Sequence, residues 1–126
     1  MNAAAPDGPQ VMVVEDDLLI SATLEIALES RDYRVLGPVA TLEEARQLLE
    51  TSEPDIALID YRLAKTTTDD LLTSLNARHV PTCVLTGLNA DELPAAYAGC
   101  TVLQKPFRLN ALLDALNQIR PGGPAS

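Results

Sequence analysis

The run Asp55-Ile56-Ala57-Leu58-Ile59-Asp60 constrains this chain more than any other stretch. It follows Pro54, carries apolar residues without a break, and stops on a carboxylate. That is the pattern of a strand buried on both faces rather than on one. Such strands belong to parallel sheets with helices on both sides, and open sheets of this kind bind ligands in the crevice beyond the C-terminal ends of their strands. Asp60 therefore falls where chemistry is expected. Alone, an aspartate after an apolar strand is more often a turn or cap residue, so its meaning depends on what the other strand ends deliver.

The rest of the chain alternates around that strand. Gln10 to Val14 is a short apolar strand that runs into Glu15-Asp16-Asp17. From Leu18 to about Arg31, Ile20, Leu24, Ala27 and Leu28 recur at the spacing of one helical face. Tyr33 to Val39 is a second strand whose Pro38 suits an edge position. Thr41-Leu42-Glu43-Glu44 predicts a capping box and a helix to about Thr51. After Asp60, residues Arg62 to Thr68 read as a polar loop, Asp69 to Ala77 as a helix, and Thr82 to Thr86 as a strand. Pro94 and the flanking Gly87 and Gly99 weaken the next helix, which is expected to be short or irregular. Thr101 to Gln104 is the fifth strand, ended by Lys105-Pro106 with a plausible cis bond. Leu109, Leu112, Leu113, Leu116 and Ile119 then mark an amphipathic helix directed inward.

Five strands alternating with five helices over short connections predict an α/β fold, a five-stranded parallel sheet doubly wound by helices. At 126 residues the chain is one domain by length, spanning residues 10–120 between tails at 1–9 and 121–126. A formal charge of -9 argues against nucleic acid and against an anionic membrane surface as partners. No apolar segment is long enough for a membrane span and the start lacks signal-peptide character, so a cytoplasmic location is expected. Cys83 and Cys100 lack CxxC spacing and read as reduced structural thiols; His79, before Val80-Pro81, reads as a loop residue.

Four strand ends carry functional groups to one edge: Glu15, Asp16 and Asp17 from the first, Asp60 from the third, Thr86 from the fourth and Lys105 from the fifth. Clustered carboxylates repel by up to about 4 kcal/mol per pair at 4 Å with an effective dielectric of 20, so positive charge must compensate. A hard divalent cation with oxygen ligands, Mg²⁺ first among them, meets that need. Lys105 supplies a second positive group and Thr86 a hydroxyl for a phosphate oxygen. Together these describe an aspartyl-phosphate site with Asp60 as nucleophile. The lack of GxxxxGK[ST] argues against a P-loop nucleotidase. A phosphatase of the haloacid dehalogenase kind would want an Asp at position 62, where Arg stands.

From about Gln10 to Arg120 the sequence resembles the response-regulator receiver domains of two-component signalling. The motifs are the acidic cluster in VVEDD, the strand ending LIDYRL, the Thr-Gly of VLTGL and the Lys-Pro-Phe of LQKPF, in family order and spacing. The resemblance implies a flavodoxin-like (βα)5 fold and makes Asp60 the phosphoacceptor. Glu15 and Asp16 become the acidic pair, with Asp16 a direct metal ligand and the backbone carbonyl of Arg62 the third protein ligand. Thr86 becomes the switch hydroxyl and Lys105 the lysine at the phosphoryl group. Asp17 falls outside the pair, at the start of the first helix, where a carboxylate suits the helix dipole.

Three departures qualify the match. Val102 stands where many receivers carry a switching aromatic, Arg62 where Asn is frequent, and LAKTTTDD replaces the usual loop after the acceptor. The stretch VLTGLNADELPAAYAGCTVLQKPF is similar to a subgroup of mostly stand-alone receivers with a Thr-Gly-aromatic motif, though Leu88 replaces the aromatic. The expectation is a single-domain receiver phosphorylated by a histidine kinase or phosphotransfer protein, at most with Mg²⁺-dependent self-phosphorylation and autodephosphorylation. It would signal by protein contacts around its fourth and fifth helices, with Asn89 to Tyr97 reorganising, or act as a phosphate sink. The alternative is an interaction module on the same fold that ignores phosphorylation.

Overall fold

The computed structural model describes residues 8–124. Five parallel strands form one sheet: β1 (Gln10–Val14), β2 (Arg34–Val39), β3 (Ile56–Asp60), β6 (Thr82–Thr86) and β7 (Thr101–Gln104), in the order β2-β1-β3-β6-β7. The chain leaves β1 toward one edge and returns to place β3 on its other side. The topological switch point, where such sheets bind ligands, therefore lies between the C-terminal ends of β1 and β3.

Alternate residues of the buried strands face opposite layers. Met12, Val14, Ala57, Ile59 and Val84 pack under α2 (Leu42–Thr51) and α3 (Asp69–Ala77), against Ala45, Leu49, Leu71, Leu72 and Leu75. Val11, Val13, Ile56, Leu58, Cys83 and Leu85 pack under α1 (Leu18–Glu29) and α4 (Leu109–Ile119), against Leu24, Leu28, Leu112, Leu113 and Leu116. All five residues of β3 are buried, as its unbroken apolar run requires. Half of the predicted capping box is present: Thr41 Oγ1 accepts the Glu44 amide at 3.1 Å, but Glu44 Oε1 reaches past the Thr41 amide to accept that of Ala40, one residue before the cap, at 3.1 Å.

Pro38 lies on the edge strand β2, where the missing amide is tolerated. Here the register with β1 slips, Met12 facing Leu36 but Val14 facing Val39, so β2 carries one extra residue. Gly37 absorbs the bulge at φ +93, and Gly37-Pro38 is cis. The bulge matters to the site because it aims the Val39 carbonyl at the Glu15 amide, 2.9 Å away.

The structure refines four expectations. First, the fourth helix is irregular, as expected: it is two single 3₁₀ turns, Ala90–Glu92 and Ala95–Tyr97, which leaves four α-helices among the described residues rather than five. Pro94, which has no amide to donate, separates the two turns. Second, the polar loop after Asp60 is a tight antiparallel hairpin of β4 (Arg62–Leu63) and β5 (Thr66–Thr67), anchored by buried Leu63 and turned at Ala64 with φ +50. Third, Leu109 does not face the core but is 38% exposed, because it occupies the first turn of α4 before the helix reaches the sheet. Fourth, Thr66-Thr67-Thr68 is not simply a solvated loop, since Thr68 is fully buried.

At the N-terminus, the carbonyls of Gly8 and Pro9 already bond to Arg34 Nε and to its amide, at 2.6 and 2.9 Å. The tails expected at 1–9 and 121–126 lie, at residues 1–7 and 125–126, outside the described residues. Among the described residues no helix is long and apolar enough to cross a membrane. Cys83 is a buried free thiol, pushed up to about 12 by burial, and Cys100 is a half-buried one. His79 ends α3 in a loop at φ +58 and is exposed.

Candidate functional site

β1 ends by handing Glu15 and Asp16 to the crevice. Glu15 is buried, its amide held by Val39 and its Oε2 accepting the Asp17 amide at 3.1 Å. Asp17 turns away and caps α1, accepting the Ile20 amide at 3.0 Å. Asp16 is exposed at the rim, where its Oδ2 accepts the amide of Ala64 from the hairpin at 2.8 Å. Asp60 closes the floor, 2% exposed. One carboxylate oxygen from each of Glu15, Asp16 and Asp60 lies within 4.8 Å of the others.

Lys105 enters from the end of β7, its amide bonded to the Thr86 carbonyl at 2.7 Å and its peptide to Pro106 cis. Its ammonium reaches Asp60 Oδ1 at 3.1 Å and Glu15 Oε1 at 3.6 Å. Apart from that ammonium, no donor among the described residues meets these two buried oxygens. Burial, and then the neighbouring Glu15, push the Asp60 carboxyl up to about 8 despite the opposing pull of Lys105. For Lys105 burial favours the neutral amine, but the two carboxylates outweigh it and its pKa rises.

One ammonium against three carboxylates leaves excess negative charge, with two buried oxygens sharing that ammonium as their donor among the described residues. An oxygen-seeking divalent cation fits this donor set on both counts. Beside it opens a cleft of about 260 Å³ lined by Asp60, Tyr61, Arg62, Thr86, Leu88 and Lys105, among others. That volume admits a group the size of a phosphate. Thr86 is buried at its wall, with its hydroxyl oxygen accepting the Leu88 amide at 3.1 Å. The Arg62 side chain is exposed and its guanidinium carbon lies 5.7 Å from the Tyr61 ring centroid.

The structure therefore brings together Glu15, Asp16, Asp60 and Lys105, and sets Thr86 and Arg62 around the adjoining cleft. Sequence reasoning missed a layer beneath them. Thr68 Oγ1 donates to the Asp60 carbonyl at 2.8 Å and lies 3.1 Å from the Tyr61 carbonyl and 3.2 Å from the Tyr97 hydroxyl. Tyr97 in turn donates to Asp69 Oδ1 at 2.7 Å and meets the Tyr61 ring edge-on at 5.2 Å. A threonine closing a run of three in a polar stretch signalled only a solvated loop, and a tyrosine in a Pro/Gly-rich stretch gave no sign of burial.

A family model described as the response regulator receiver domain matches residues 11–117. The chain belongs to the response regulator receiver family. Among curated relatives, the receiver is 29% identical over 119 residues to the transcriptional regulatory protein PdtaR of Mycobacterium tuberculosis (strain ATCC 25618 / H37Rv), covering 91% of this chain and 57% of that protein. It spans about half the length of the curated relatives it first matches. Among solved structures, the receiver domain of sensor histidine kinase PA1611 from Pseudomonas aeruginosa PAO1 has a magnesium ion coordinated in its active site cleft. It superposes with a TM-score of 0.76 at 29% identity, over 89% of this receiver and 97% of that chain. SdrG from Sphingomonas melonis Fr1 superposes with a TM-score of 0.74 at 32% identity, over 92% and 96%.

Proposed function

We propose that this receiver accepts a phosphoryl group on a carboxylate oxygen of Asp60 from the phosphohistidine of a histidine kinase or phosphotransfer protein. The observation that carries this reading is the pairing of Asp60 Oδ1 with Lys105 Nζ at 3.1 Å, inside a cluster of three carboxylates that opens on a cleft. An Asp60 oxygen forms the new P–O bond as the donor P–N bond breaks, and the electron pair leaves with the imidazole. The transition state is loose, so positioning and charge balance dominate over covalent help. Lys105 balances charge at the transferring group, and the Thr86 hydroxyl stands at the cleft wall to meet a phosphoryl oxygen. Glu15, Asp16, Asp60 and the backbone carbonyl of Arg62 would hold Mg²⁺, which supplies positive charge opposite the phosphoryl oxygens when bound. The magnesium in the PA1611 receiver supports that assignment.

Output by protein contact, from a stand-alone cytoplasmic receiver, is the second part of the proposal. The 3₁₀ turns in place of a fourth helix support an irregular-helix subgroup. With Val102 in place of an aromatic, the segment from Asn89 to Tyr97 is the part proposed to reorganise.

Incubation with acetyl phosphate and Mg²⁺ tests the chemistry. A base-labile acyl phosphate is expected on the wild type, and none in Asp60→Asn or with EDTA. Equal labelling of Asp60→Asn would reject Asp60 as acceptor. Partner binding indifferent to Asp60→Asn would favour a phosphorylation-independent module instead.

A further inference from the structure

We propose that Thr68 is a positioning residue for the acceptor site, its hydroxyl fixing the peptide units between Asp60 and Arg62 while contacting the Tyr97 hydroxyl. The inference rests on the reading of Asp60 and the Arg62 carbonyl as metal ligands. Thr68 occupies the N-cap position of α3, where a threonine ordinarily accepts an amide from the first helical turn, yet it makes no such bond. Its proton goes the other way, to the Asp60 carbonyl at 2.8 Å, with the Tyr61 carbonyl at 3.1 Å. The Thr68 amide bonds the same Tyr61 carbonyl at 2.9 Å. The two carbonyls so held belong to the peptide units linking Asp60 to Tyr61 and Tyr61 to Arg62. They are the only links between the nucleophile and the third proposed metal ligand, so their tilt sets where both oxygens point.

Tyr97 completes the arrangement from outside the sheet. Two hydroxyl protons serve three acceptors here: the Asp60 carbonyl, the Tyr61 carbonyl and the Asp69 carboxylate. With Thr68 donating to the strand and Tyr97 to Asp69, the 3.2 Å contact between the hydroxyls carries no proton of its own. Any movement of the Ala95–Tyr97 turn that breaks the bond to Asp69 frees the Tyr97 proton for Thr68 Oγ1. The hydroxyl that steadies the acceptor is thus in direct contact with the segment that replaces the fourth helix, and that contact does not pass through residue 102.

Groups that steady metal ligands from behind typically cost about 10–100-fold in metal affinity when removed. Mg²⁺ titrations followed by amide NMR, with thermal unfolding of the same samples in EDTA, test this on wild type, Thr68→Val, Thr68→Ser and Thr68→Ala. Thr68→Val keeps the shape and loses the hydroxyl; it is expected to weaken Mg²⁺ binding by about tenfold, while Thr68→Ser restores it to within about twofold. The Tyr61 and Arg62 amides should shift in the valine variant and return in the serine one. A hydroxyl that matters only for stability would lower the unfolding temperature and leave the Mg²⁺ affinity unchanged, which overturns the proposal. Absence of Mg²⁺ binding by the wild type would remove the site reading and the proposal together, whereas normal wild-type binding with an indifferent Thr68→Val removes the positioning role alone. Should Thr68→Val not fold, Thr68→Ala decides: weaker Mg²⁺ binding supports the role, and wild-type affinity refutes it.

Discussion

One ammonium serves two buried carboxylates: Lys105 Nζ stands 3.1 Å from Asp60 Oδ1 and 3.6 Å from Glu15 Oε1, and neither oxygen has another donor among the described residues. A divalent cation drawn to the same oxygens competes with that ammonium. Two unit charges at 4 Å interact by about 4 kcal/mol at an effective dielectric of 20. Lys105 is 33% exposed, so solvent screens much of its share. Lys105→Met is therefore expected to tighten Mg²⁺ binding by roughly tenfold at low salt. The same change should slow labelling by acetyl phosphate by about 10²-fold, because charge on the transferring group loses its partner. Calorimetric titration and labelling rates measure the two effects, and weaker Mg²⁺ binding by the methionine variant would contradict the competition.

Asp60 also makes the apo chain sensitive to pH. Its carboxyl moves from an ordinary 3.8 up to about 8, chiefly through burial and then through Glu15. Between those values the folded chain keeps a proton that the unfolded chain has released, so stability falls as pH rises through that window. Without Mg²⁺, the thermal midpoint is expected to drop on the order of 5 °C from pH 5 to pH 8 relative to Asp60→Asn, which has no proton to lose. Saturating Mg²⁺ should remove the difference. A wild type that gains stability over this range relative to Asp60→Asn would reverse the sign of the linkage.

The bulge in β2 reaches the site through one atom. Gly37 has φ +93, and a Cβ there would stand 2.8 Å from the Val39 amide nitrogen and 3.2 Å from the Val13 carbonyl, both backbone atoms that cannot swing aside. Gly37→Ala is expected to cost about 1–3 kcal/mol in urea unfolding. Because the Val39 carbonyl holds the Glu15 amide at 2.9 Å, the Glu15 resonance should move as well. A stable Gly37→Ala with an unshifted Glu15 amide would show that the edge strand does not position the acidic pair.

Most of the sheet was legible because its strands are short, apolar and bounded by Pro, Gly and charges; β1, β6 and β7 begin and end where the sequence predicts. The residues of the acidic cluster were legible for the same reason, since each follows a strand end and parallel strands share an edge. What escaped has a common physical cause. The β4–β5 hairpin depends on one buried residue, Leu63, and on a positive φ at Ala64, a conformation that glycine rather than alanine would signal. Thr68 and Tyr97 lie 29 residues apart and meet only in the folded chain, so no local pattern marks either as part of the site.

Leu109 and Leu112 separate periodicity from burial. Both belong to the apolar series of α4, and the spacing alone treats them alike. In the fold Leu112 is fully buried in the layer formed with β1, β3 and α1, while Leu109 at the first turn remains 38% exposed beside Thr23 and Ile26 of α1. Leu112→Ala leaves a cavity that close-packed neighbours refill only in part, and is expected to cost about 2–5 kcal/mol. Leu109→Ala removes surface that water already reaches, and is expected to stay within about 0.5 kcal/mol. Urea unfolding of the two variants against the wild type makes the comparison. Equal losses would mean that the first turn of α4 packs as deeply as the rest, and that the exposed rim between α1 and α4 closes in solution.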